Sequence, residues 1–92
     1  MQHLALRVIG VHSNVEALTN SVGVTQSDYD DICESYQVRD VEIAGQTYPF
    51  VSGAQAPRTI ALTQEHREAL NASVGDIVTV YFDVSELRVT HD

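Results

Sequence analysis

At 92 residues the chain has the length of one domain, and a domain this short buries only about two-thirds of the surface its unfolded form exposes, so its core is thin. Its 43% hydrophobic content and two prolines are those of a folded globular domain and exclude a disordered chain. Thirteen carboxylates stand against five arginines and no lysine, a net charge of −8 that repels phosphate backbones, so nucleic acid is not an expected partner and solubility is the plain account of the charge.

In chain order, residues 4–11 read as a leading strand. The run HLALRVIGVH is too short to cross a bilayer, is interrupted by Arg7, and is followed by no small-residue cleavage site. No membrane contact is therefore expected, and the cytoplasm is the expected location. After a loop over residues 12–21, Val22 and Val24 alternate as a short half-buried strand. Thr25 offers a side-chain oxygen to the free N–H groups of a helix, and Thr25-x-x-Asp28 approximates a capping box with Asp in place of Glu. Tyr29, Ile32, Cys33 and Tyr36 fall on one face of that helix. A strand over 38–43 follows, then the hairpin turn Ala44-Gly45-Gln46 and a strand over 47–51 in which Pro49 marks an edge or a bulge. A second loop, 52–57, leads to the strand residues Ile60 and Leu62, to Thr63 as a second N-cap with Glu65 in the first turn, and to a weaker apolar stripe of Ala69, Leu70 and Val74. Gly75-Asp76 turns this helix into a long strand over 77–84, and residues 87–90 form a final strand.

The chain repeats itself at a constant offset of 38 residues. That offset pairs Val22 with Ile60, Val24 with Leu62, Thr25 with Thr63, Gln26 with Gln64, Ile32 with Leu70 and Ser35 with Ser73. A strand–strand–helix–strand unit cannot cover its own apolar face, whereas two of them facing each other can close a barrel. The expected fold is mainly β with two short helices (α+β): a small closed barrel built from two pseudo-symmetric ββαβ repeats, about 4–43 and 47–84, within the single domain 1–92. Ile32 and Leu70 are its expected equivalent buried anchors.

The second half, with the strand Arg58 to Thr63, then Arg67-Glu68-Ala69-Leu70 on a helix and Gly75-Asp76-Ile77-Val78 entering a strand, resembles the cradle-loop barrels: the swapped-hairpin barrels of AbrB-like regulators and the double-psi barrels of substrate-recruiting domains of AAA ATPases. The first half departs from the pattern, with Arg39-Asp40 where Gly75-Asp76 stands in the second. AbrB-like chains carry one unit, dimerise and bind DNA through basic loops, and this chain has two units and few basic residues. The Gly-Ser processing site of the aspartate decarboxylases and the Asp-Thr/Ser-Gly loop of the aspartic proteases do not occur here. The resemblance then implies the non-enzymatic use of the fold, a compact module that binds another protein.

The chemistry-bearing residues agree. DYDDICE lacks the glycine and glutamate of a calcium loop and reads as a solvated first turn, HREAL is not a zinc-protease motif, and His3, His12 and His91 share no ligand spacing, so no metal, cofactor or catalytic residue is expected. Cys33, the sole cysteine, cannot form an internal disulfide and reads as a buried small hydrophobe whose acidic neighbours oppose a thiolate. His66 reads as part of an exposed helix face with local ion pairs. Arg58, at a loop-to-strand junction, is the best single candidate for contacting an anion or a partner carboxylate, although an ion pair with the acidic surface is the preferred reading. Alternation sends Tyr48 and Phe50 to one face and splits Tyr81 from Phe82, so at least one large aromatic faces outward. The expected function is a protein-interaction module engaging another protein, or itself, through Tyr48, Phe50, Arg58, His12 and Tyr81. Two other readings stay open: a small-ligand binder with a groove between the loops, and a small hydrolase or isomerase using His66 or His12 with a carboxylate.

Overall fold

A computed structural model describes residues 1–11, 19–33 and 39–91. The expectations for His12 and for Tyr36 lie outside the described residues.

The described residues form a closed barrel of seven strands with two short helices. The strands are β1 (Gln2–Gly10), β2 (Val22–Val24), β3 (Asp40–Ile43), β4 (Gln46–Ser52), β5 (Thr59–Leu62), β6 (Ile77–Phe82) and β7 (Leu87–Thr90), and the helices are α1 (Gln26–Ile32) and α2 (Gln64–Leu70). Around the barrel the order is β1-β5-β2-β4-β3-β7-β6. Most strands alternate Val, Ile, Leu or Phe inward with polar residues outward, the period-2 pattern of a strand with one face on the core. Leu6 and Val8, Val41 and Ile43, Ile60 and Leu62, and Val78 and Val80 accordingly fill the interior. No helix among the described residues is long and apolar enough to cross a membrane.

The strand pairings match when the two halves are exchanged. β1 runs parallel to β5 and β4 parallel to β2, with Val8 beside Ile60 and Phe50 beside Val22. β1 pairs antiparallel with β6 and β4 with β3, while β2 and β5 meet antiparallel where the halves join. β7 breaks this correspondence by inserting between β3 and β6. The turn joining β3 to β4 is tight, with Ala44 and Gly45 both at positive φ (51° and 85°), and Gly75 at φ 98° reverses the chain into β6.

Both helices begin as the sequence implies. Thr25 Oγ1 accepts from the Asp28 N–H and Thr63 Oγ1 from the His66 N–H. The second helix differs from its expected stripe, however. Asn71 adopts the left-handed conformation and ends α2 after two turns, leaving Val74 outside the helix and 60% exposed. Ala69 is exposed and Leu70 is only half-buried against the core, whereas Ile32 is buried, so the two anchors are not equivalent. The residue that α2 buries is His66.

Candidate functional site

Asp28 and His66 stand 38 residues apart, each third in its helix, and both are buried rather than solvated as the sequence suggests. Each reaches across to a loop residue held at positive φ: Arg58 (φ 57°) for Asp28 and Asn20 (φ 53°) for His66, themselves 38 residues apart. Asp28 accepts hydrogen bonds from the Arg58 backbone N–H (3.1 Å) and the Thr25 hydroxyl (3.0 Å), and its other oxygen lies 3.3 Å from the Arg58 guanidinium. Arg58 is thus an ion-pair partner of Asp28, and its side chain remains 56% exposed.

The second connection has the opposite polarity. His66 Nδ1 accepts from the Thr63 N–H (3.1 Å), completing a capping box, and Nε2 lies 3.1 Å from the Asn20 carbonyl oxygen, to which it must donate. The Asn20 side chain accepts from the Thr63 hydroxyl (2.8 Å) and donates to Glu65. Pro49 supplies a reason for the reversal. In the other half the Arg7 N–H donates to the Arg58 carbonyl (2.9 Å), and extending the β2–β4 register by one residue puts Pro49, which has no N–H, in the place of Arg7. The His66 ring provides the donor that Pro49 lacks. Burial is the first cause holding the His66 pKa below its ordinary value, so the ring is neutral with both nitrogens occupied. A general base needs a free lone pair, and this imidazole has none.

The expected partner residues separate. Phe50 is 2% exposed and stacks on Tyr29 with ring centroids 5.4 Å apart, so it belongs to the core and not to an outward patch. Tyr48 shares its face, as alternation implies, but is half-buried with its ring 4.5 Å from the His66 ring in an edge contact. Tyr81 faces outward while its neighbour Phe82 is buried. Cys33 is buried, and burial pushes its thiol pKa up.

Tyr81 lies in a row that sequence order does not reveal. Register places His3 beside Tyr81, Tyr81 beside Arg88, Arg88 beside Glu42 and Glu42 beside Thr47, so these five side chains run across β1, β6, β7, β3 and β4 on the outer face of the barrel. The Arg88 guanidinium sits 5.1 Å from the centre of the Tyr81 ring, and the His3 ring packs tilted against the same tyrosine at 5.9 Å. Beside this row opens a groove of about 400 Å³, lined by Arg39, Asp40, Glu42, Glu86 and Arg88 among others. It is bounded by β3, β7 and the 83–86 turn, and so lies apart from the two cross-linked loops. Arg39, Arg88 and Glu42 carry no motif. The alternation of β3 and β7 marks Glu42 and Arg88 as outward, but their juxtaposition needs the parallel β3–β7 pairing.

No protein-family model, curated protein or solved structure matches the chain.

Proposed function

We propose that the chain is a non-enzymatic, acidic protein-interaction module of the cytoplasm that docks another protein on the outer sheet face around Tyr81 and Arg88. The observation that carries this reading is the cross-strand row from His3 to Glu42, in which a cation stacked on an aromatic ring is held on rigid strands at the surface. Tryptophan, tyrosine and arginine most often dominate binding energy at protein interfaces, and here the stacking on Tyr81 already restricts the long Arg88 side chain, which reduces the freedom it has left to lose when it is covered. The matched pairings of β1–β5 and β4–β2, the two threonine caps and the paired loop residues Asn20 and Arg58 support placing the barrel among the cradle-loop barrels, with two related units in one chain.

A small-ligand reading draws on the groove, whose volume falls within the range of small-molecule sites. Its lining is charged rather than apolar, which favours a protein surface with matching charges. The test is site-specific photo-crosslinking in the native host. A benzophenone amino acid replacing Tyr81 should give a discrete adduct that Arg88→Glu abolishes, while the same probe at exposed Ser27 should not. Identical adducts at both positions would reject this face as the docking surface.

A further inference from the structure

The groove beside Tyr81 carries both signs of charge. Arg39 and Arg88 line it together with Asp40, Glu42 and Glu86, yet among the described residues the ion pairs are Arg58–Asp28 and His91–Asp76, so the groove's charges are not spent on one another. Three carboxylates oppose a simple anion there, and two guanidinium groups oppose a simple cation. The lip is a rigid turn: Asp83 Oδ1 accepts from the Ser85 N–H (2.8 Å), the Ser85 hydroxyl (3.0 Å) and the Glu86 N–H (2.8 Å), and the Asp83 N–H donates to the Glu86 carbonyl (2.9 Å). On that turn Val84 is held 97% exposed, a single apolar knob at the edge of the groove.

We infer that this face binds a second copy of the same chain about a twofold axis, with Val84 of each copy entering the other's groove and Arg88 of each meeting Glu86 of the other. The inference rests on the docking surface proposed above and names its occupant. Twofold pairing brings one patch against itself, so any residue that contacts another is contacted in return, and a patch with arginine, carboxylate, knob and groove supplies its own complement. A foreign partner would have to supply all four; a second copy carries all four on one patch, so a single twofold axis can bring each to its complement. Nine residues line the groove, against the roughly 20–30 a side of a standard interface, so the dimer belongs to the weak, concentration-dependent class with a micromolar or weaker Kd. The barrel closes within one chain, so separation leaves each copy folded.

Sedimentation equilibrium from micromolar to millimolar protein tests this, in roughly 0.15 M salt so that repulsion between the two acidic chains is screened beyond about 8 Å. Wild type should show a monomer–dimer equilibrium. Arg88→Glu alone and Glu86→Arg alone each set like charges against each other twice, and each should weaken it by about tenfold or more. An equimolar mixture of the two variants restores opposite charges at both contacts and should form a heterodimer close to wild-type strength. Glu68→Arg on α2 changes the net charge as Glu86→Arg does and should leave the equilibrium unchanged. Circular dichroism should be unaltered by dilution and by each substitution. A wild type that stays monomeric, a mixture no tighter than its components, or secondary structure lost as the dimer separates would each overturn the inference. A monomeric wild type that still yields the Tyr81 adduct with another protein would leave the docking surface standing and remove only its occupant.

Discussion

Replacing His66 tests the connection between the halves most directly. The ring is fully buried, accepts from Thr63 N–H and donates to the Asn20 carbonyl, and makes an edge contact with the Tyr48 ring. His66→Ala leaves those two backbone groups without their partner, at about 1–3 kcal/mol each, and removes a ring contact of about 0.5–1.5 kcal/mol. The combined loss, about 3–7 kcal/mol, is a large part of the 5–14 kcal/mol or so that a chain of this length has in total. His66→Gln can keep both hydrogen bonds, since its amide oxygen accepts and its NH₂ donates, and glutamine suits the third position of a capping box; it should cost only about 1 kcal/mol, mainly the ring contact. The two variants also differ from wild type in pH dependence. Burial holds the folded imidazole below its ordinary pKa of 6.5, so the unfolded chain takes up the proton first. The stability from the neutral ring is complete above the unfolded value and is lost as the pH falls below it towards the folded pKa, at no more than about 1.4 kcal/mol per pH unit for one proton. Urea denaturation followed by circular dichroism between pH 8 and 5 should show wild type losing its advantage over His66→Gln below about pH 6.5. Parallel curves for the two proteins, or a His66→Ala cost under about 1 kcal/mol, would refute the buried, doubly bonded histidine.

Ile32→Ala empties a buried core position and should cost about 2–5 kcal/mol, whereas Leu70→Ala, at a half-buried site, should cost about half as much or less in the same assay; equal losses would mean that α2 packs more deeply than described. The Cys33 thiol is buried with its pKa raised, so alkylation of the native protein at pH 8 should be slow and become fast in denaturant, and native-state labelling at the rate of free cysteine would contradict that burial. With a net charge of −8 the protein should not shift duplex DNA in a gel at physiological salt; salt-sensitive binding at micromolar protein would reinstate the AbrB-like use of the fold.

What the sequence by itself determined is local. Alternating Val, Ile and Leu positions mark the strands, and residues 87–90 coincide with β7. Thr25 and Thr63 mark the helix starts, and Gly45 and Gly75 mark turns that need positive φ. These signals reside in a few neighbouring residues, whose backbone preferences act wherever the segment lies. The tertiary structure decided which polar groups are buried and which surface residues meet. Asp28 and His66 look like ordinary first-turn residues until barrel closure brings them loop partners 30 and 46 residues away, and no helical period encodes that distance. Alternation puts Tyr48 and Phe50 on one face but does not say that Phe50 reaches the core while Tyr48 stops at the His66 ring. The row joining Tyr81 to Glu42 likewise depends on β7 inserting between β6 and β3 in one register. A slip of one residue would turn either strand's side chains to the opposite face, so the register that buries Leu87 and Val89 is also the one that sets Arg88 between tyrosine and glutamate at the surface.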